Sequence, residues 1–145
     1  MATISSFEDL DAWRIATEIR REMMILVRAF PDTERFKLID QTTRASRSAT
    51  NNIAEGFGRY TYREYINFLV MSRGSLTELI DQLIIAVDEG YMEEAALNGY
   101  KDKVFRGVMV INGLIRYLRK AKPGEQNAEE AYIPYNTQYP VHADD

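Results

Sequence analysis

The sequence lacks cysteine altogether and contains a single histidine, His142. Without thiols the chain forms neither disulfides nor cysteine-ligated metal sites, and we expect a reducing, cytoplasmic compartment. One imidazole, near the carboxyl terminus, excludes a bundle-core di-iron site with histidine ligands and a histidine-activated serine. We therefore expect a protein that is not an enzyme and needs no metal or cofactor.

Long apolar runs are also missing. No stretch approaches the ~20 apolar residues of a membrane-spanning helix, so no membrane partner is expected. The 145 residues, 46% of them hydrophobic, suffice for one domain with its own core. The formal net charge is −4, and residues 122–145, with one basic and five acidic side chains, account for all of it. This acidic segment lacks helical periodicity and is predicted to be an irregular tail.

Apolar residues recur at three- and four-residue steps in four segments, which predicts an all-α fold. We place the helices, in one domain over residues 1–121, at about residues 8–29, 34–55, 62–88 and 93–120. Breaks fall at Pro31, Gly56 and Gly90, and Thr61 with Glu64 matches a capping box. Four helices joined by short connections predict an antiparallel up-down-up-down bundle.

The second predicted helix carries a stripe of small residues beside a polar stripe. We predict a buried polar seam against the third helix, formed by Gln41, Arg44, Asn52, Glu55, Ser75 and Glu78. Within it we expect Glu78 to pair with Arg44, or with Asn51 and Asn52. The reason is that an unpaired carboxylate near a core is costly.

Arginine and tyrosine alternate close to the connection between the second and third helices. The candidate nucleic-acid contacts are Arg47, Arg59, Tyr60, Tyr62 and Arg63. Guanidinium groups suit phosphates, and aromatic planes suit stacked bases. The alternative is that Arg59 pairs with a nearby carboxylate while the tyrosines pack on the bundle, which the neutral charge of residues 1–121 favours.

The fourth predicted helix has more apolar residues than one core needs. A seven-residue repeat is formed by Leu97, Val104, Ile111 and Leu118. Further apolar residues lie off that line: Phe105, Met109, Val110, Leu114 and Tyr117. Such a surplus indicates self-association. We therefore favour an oligomeric interaction scaffold, with nucleic-acid binding as the second hypothesis.

Five motifs together resemble a known family over about residues 7 to 118. They are Phe7-x-x-Leu10-x-x-Trp13, Phe30-Pro31-x-x-Glu34, Leu38-x-x-Gln41-x-x-Arg44-Ala45, Asn52-Ile53-Ala54-Glu55-Gly56-x-Gly58-Arg59 and Gly74-Ser75-Leu76-x-Glu78-Leu79. They strongly resemble the bacterial four-helix-bundle proteins encoded by intervening sequences of 23S ribosomal RNA genes. Thr42 and Thr43 stand where members commonly carry a more apolar or basic pair.

The resemblance implies a cytosolic bundle that assembles with itself, as a ring-like homopentamer. Related accessory variability proteins of diversity-generating retroelements form such pentamers and associate with nucleic acid and a reverse transcriptase. The implied partners are thus further copies of the chain, and nucleic acid or a nucleic-acid-processing protein. The resemblance carries over no catalytic residue.

Overall fold

The structure, a computed structural model, describes residues 4–120, and within that range it contains four α-helices and no strand. The helices are α1 (Asp11–Leu26), α2 (Leu38–Phe57), α3 (Tyr62–Asp88) and α4 (Glu94–Arg119). Short 3-10 turns occupy Phe7–Asp9, Val27–Ala29 and Asp32–Glu34. The predicted all-α, four-helix fold is confirmed. The predicted tail, with His142, lies outside the described residues.

The first two helices begin later than the apolar periodicity predicts. Before α1, the Ser6 hydroxyl accepts a hydrogen bond from the Glu8 backbone N–H, and the Asp9 carboxylate accepts one from the Ser6 N–H at 3.2 Å. Hydrogen bonds from the backbone N–H groups of Ser5 and Ser6 are the main cause that lowers the pKa of Asp9. A 3-10 turn repeats at a spacing close to that of an α-helix, so the apolar pattern runs through both.

The start of α3 matches half of the predicted capping box. The Thr61 hydroxyl accepts a hydrogen bond from the Glu64 backbone N–H at 3.2 Å and donates one to the Glu64 carboxylate at 3.1 Å. The Glu64 side chain therefore binds the Thr61 hydroxyl and not the Thr61 backbone N–H. The helix start is fixed by the same two residues that the motif indicates.

The predicted core stripes face the interior of the bundle. On α2 the buried residues include Leu38, Thr42, Ala45, Ala49 and Ile53. On α3 they include Tyr65, Leu69, Leu76, Leu79 and Leu83, and on α4 they include Leu97, Val104, Ile111 and Leu118. Val110 and Leu114, which the sequence analysis placed outside the core, are buried as well. The apolar surplus of α4 is therefore smaller than predicted.

The helices contact one another in a closed order, α1 on α2, α2 on α3, α3 on α4 and α4 on α1. A side-chain hydrogen bond crosses each of these four contacts. The pairs are Arg20 with Thr50 at 2.9 Å, Ser48 with Ser75 at 2.8 Å, Arg73 with Asn112 at 2.8 Å, and Lys103 with Glu22 at 2.9 Å. Each bond restricts how far neighbouring helices can slide or rotate.

Candidate interaction surface

The contact between α2 and α3 is built from small side chains. The Ser72 hydroxyl, which is buried, donates a hydrogen bond of 2.6 Å to the Ala49 carbonyl oxygen. Near the end of α2, a Cβ added to Gly56 would lie 2.8 Å from the Phe68 Cβ and 3.2 Å from the Tyr65 carbonyl oxygen. Only a glycine fits at that separation, so the Asn-Ile-Ala-Glu-Gly motif has a packing function at its last position.

A short polar network lies beside this contact. The hydroxyls of Ser48 and Ser75 are 2.8 Å apart. The Asn52 amide donates to the Ser48 carbonyl oxygen at 2.9 Å and to its hydroxyl at 3.0 Å. The structure thus brings Asn52 and Ser75 together through Ser48. Ser48 is not among the predicted seam residues, although its position four residues before Asn52 could have indicated it.

The remaining predicted members of the seam lie on the outer edge of the two helices. Arg44 is exposed and pairs with Asp40 of its own helix at 2.9 Å, and Glu55 pairs with Arg59 at 2.7 Å. Glu78 is exposed, and no hydrogen bond or ion pair joins it to another residue between 4 and 120. The expected pairing of Glu78 with Arg44, or with Asn51 and Asn52, is therefore wrong. A partner four residues away on the same helix is closer to Arg44 than one across the groove.

The five candidate nucleic-acid contacts fall into two groups. Arg59 is engaged within the chain, since it binds Glu55 and lies 4.5 Å from the centre of the Phe68 ring. Tyr62 is buried. Tyr60 is 64% exposed. Arg47 and Arg63 are exposed as well, and neither forms an ion pair with any residue in the described range.

The segment Asp32–Lys37 contains the 3-10 turn Asp32–Glu34 and leads directly into α2, and we call it the Phe36 loop. Glu34 anchors it twice, because its carboxylate accepts hydrogen bonds from the Leu38 N–H at 3.1 Å and from the Tyr91 hydroxyl at 3.1 Å. Burial and the hydrogen bond to Glu34 raise the pKa of Tyr91. At the tip, Phe36 is 84% exposed. Phe36 belongs to no apolar stripe, so the sequence pattern does not indicate its exposure.

An open cavity of about 550 Å³ lies beside the Phe36 loop. Its walls combine amide and charged groups with apolar ones: Glu34, Phe36, Lys37, Leu38, Gln41, Gln82 and Ile85. Gln41, predicted to belong to the buried seam, is exposed here. The cavity is therefore a shallow site at one end of the α2–α3 groove, with room for an apolar side chain and polar groups around it.

On the opposite side of the bundle, Lys103 of α4 meets two carboxylates of α1. Its ammonium group lies 2.9 Å from the Glu22 carboxylate and 3.5 Å from that of Glu18. The hydrogen bond to Glu22 is the largest cause that raises the pKa of Lys103. A cavity of about 280 Å³ adjoins the pair and is also lined by Gly99 and Tyr100. The cluster holds α1 against α4.

Two further findings limit the chemistry of residues 4–120. Over that range no three acidic or imidazole side chains gather closely enough to hold a metal ion. None of the four helices combines the length and apolar character that crossing a bilayer requires. The large apolar side chains left exposed are Ile25, Phe36, Tyr60, Val70, Met71, Ile85 and Phe105. These exposed apolar side chains are candidates for contacts with other macromolecules.

The chain matches the model of a known protein family. The family model described as "23S rRNA-intervening sequence protein" matches residues 8–113, which include all of α1, α2 and α3 and most of α4. A search among curated proteins found no significant match. The family match covers well over half of the chain, and it agrees with the five motifs.

Proposed function

The chain belongs to the family of 23S rRNA-intervening sequence proteins, and we propose that it is a non-enzymatic protein that assembles with itself into an interaction scaffold. The observation that carries the proposal is the exposure of large apolar side chains on a bundle whose core is complete. Phe36 is 84% exposed, Ile25 65% and Met71 47%. Covering such side chains in an assembly stabilises it by about 25 cal/mol for each Å² removed from water.

A homopentamer is the assembly we propose first. An odd number of copies requires each chain to present two different surfaces to its two neighbours. The outer edges of α2 and α3 differ in this way, because α2 exposes polar and charged side chains whereas α3 also exposes Val70, Met71 and Ile85. Sedimentation velocity over the micromolar range tests self-association directly. A single species that sediments faster than a monomer, with a sedimentation coefficient independent of concentration, supports the scaffold. A species of monomer size at every concentration contradicts it.

We also propose that successive helices of the bundle run in opposite directions. Support comes from the paired positions along α2 and α3, since Ser48 contacts Ser75 whereas Gly56, further along α2, contacts Phe68, earlier on α3. The chain lacks cysteine, so a Ser48→Cys/Ser75→Cys variant offers a clean test. We expect it to form an intramolecular disulfide on oxidation. A matched Ser48→Cys/Thr61→Cys variant should stay reduced, and equal oxidation of both would contradict the arrangement.

Nucleic-acid binding is a second candidate function. The observation that favours it is the exposure of Tyr60 and of Arg63, three residues later. Arg47 is also exposed and has no carboxylate partner in the described part of the chain. In an oligomer these positions would be repeated, and repetition strengthens weak individual contacts. The neutral charge of residues 1–121 argues for contact with few phosphates.

Fluorescence anisotropy with a labelled single-stranded RNA, measured across a salt series, tests this candidate. Each phosphate contact contributes roughly −0.7 to the slope of log K against log salt concentration. We expect Arg47→Ala/Arg63→Ala to weaken binding and to reduce that slope. The matched control is Arg28→Ala/Arg106→Ala, which removes the same charge from two other exposed positions. An equal loss of RNA affinity in both variants, or no binding of the wild type at low salt, would contradict a specific contact.

A further inference from the structure

The Phe36 loop holds an aromatic side chain in solvent at a fixed place. Phe30 and Leu38, which flank the loop in the chain, are both buried. The rings of Phe30 and Tyr91 lie 5.8 Å apart, and Tyr91 binds Glu34 within the loop. The exposure of Phe36 is therefore a feature of an anchored loop and not of a loose end. A side chain held in place before binding loses less conformational entropy when a partner covers it.

The aromatic tip lies between two cations. Arg35 and Lys37 are exposed on either side of Phe36, and the Arg35 guanidinium lies 5.4 Å from the centre of the Phe36 ring. Neither cation pairs with a carboxylate of residues 4–120. The loop thus presents the sequence cation, aromatic, cation, which suits a partner that offers an apolar recess with acidic groups around it.

The outer edge of α3 offers that combination. Glu78, Asp81 and Ile85 follow one another at steps of three and four residues, so their side chains share one face of the helix. Ile85 is 39% exposed and forms part of the cavity wall with Leu38. Both carboxylates are exposed, and within the described chain neither takes part in an ion pair. We call Glu78, Asp81 and Ile85 the acidic edge.

We propose that the Phe36 loop of one copy occupies the cavity beside the acidic edge of another copy. Phe36 covers Ile85 there, and Arg35 and Lys37 meet Glu78 and Asp81. A second copy is the occupant because the two complementary surfaces, in charge and in apolar character, are both present on one chain. The Phe36 loop also forms one wall of the cavity of its own copy, so the donating and receiving surfaces adjoin on each chain. The inference deepens the proposed self-association and depends on it.

Charge exchange between the two surfaces tests the interface, with light scattering of the full chain as the measurement. We expect Arg35→Glu/Lys37→Glu and Glu78→Lys/Asp81→Lys each to lose the oligomer. Combining all four substitutions in one chain should restore it. Phe36→Ser should raise the concentration of half-dissociation by roughly tenfold or more, as for a central aromatic contact. Tyr60→Ser, at another exposed aromatic, is the matched control and should leave the mass unchanged.

The outcomes separate this interface from self-association itself. If the wild type is oligomeric and neither Phe36→Ser nor either charge reversal changes its mass, the interface is overturned and the scaffold is left in place. A monomeric wild type overturns both. Every variant alters only exposed side chains, and circular dichroism with thermal melting shows whether each one folds. Loss of the oligomer in both reversed variants without recovery in the fourfold variant also counts against direct pairing of the two surfaces.

Discussion

Tyr91 and Glu34 show how single side chains position the surface of this protein. Glu34 uses one carboxylate oxygen for the Leu38 backbone N–H and the other for the Tyr91 hydroxyl. It thereby connects the start of α2 to the turn before α4. Since Glu34 lies within the Phe36 loop, the geometry of the loop depends on these two hydrogen bonds.

Stability at high pH should depend on Tyr91. Burial and the hydrogen bond to Glu34 raise its pKa above the ordinary value of 10.0, so the unfolded chain releases the phenolic proton at lower pH than the folded chain. The stabilisation is complete below the unfolded pKa and is lost as the pH rises through the folded one. Between about pH 8 and about pH 11, the free energy of unfolding in urea should fall more for the wild type than for Tyr91→Phe. An equal fall in both proteins would contradict the assignment.

Sequence reasoning succeeds at single residues whose function is local. Thr61 with Glu64 could be assigned from a motif of four residues, because the hydrogen bonds stay within one helical turn. Glu78 could not. Its distance from the core depends on the rotation of α3 about its axis, which the packing of Ser72 against Ala49 determines. Periodicity shows which residues share a line but not whether that line faces the core or its edge.

At the scale of the helices, the separation between α2 and α3 depends on Gly56. A Cβ there would meet the Phe68 Cβ at 2.8 Å and the Tyr65 ring at 2.9 Å. We expect Gly56→Ala to destabilise the fold by ~1–3 kcal/mol, because the two helices would have to move apart. Urea unfolding at one fixed protein concentration measures the change, since association makes stability depend on concentration.

Gly99 provides the matched control for Gly56. It lies within α4, and a Cβ added there has nothing within 4 Å. Gly99→Ala should therefore stabilise the fold by roughly 0.5–1 kcal/mol through the lower conformational entropy of the unfolded chain. The same substitution is thus expected to have opposite signs at two helical positions. If the free energy of unfolding changes with the same sign at both positions, close approach of α2 and α3 is not the reason that glycine is needed at position 56.

The helices themselves were predictable, but their beginnings were less so. Four apolar stripes with period 3.6 identify α1 to α4, because burial on one side imposes that spacing. The start of α2 at Leu38 rather than near residue 34 depends on Glu34, whose side chain binds the Leu38 N–H after a 3-10 turn. That contact is not visible in a periodic pattern, and for the same reason the exposed Phe36 was not identified from the sequence.

For the whole molecule, the central claim is that the bundle is one unit of a larger assembly. A single copy leaves Phe36 uncovered and leaves Glu78, Asp81, Arg35 and Lys37 without ionic partners among residues 4–120. Each feature alone is common on monomeric proteins, where surface charges are well solvated. Assembly is favoured because these complementary features occur together on one chain. They involve surface residues, and the periodic pattern of apolar core residues carries no information about those.

The mass of the full chain in solution, measured by multi-angle light scattering after size exclusion at micromolar concentration, tests this claim most directly. We predict the mass of five chains, unchanged on dilution within that range, together with a smaller mass for Phe36→Ser. The mass of one chain for the wild type at every concentration would contradict the claim.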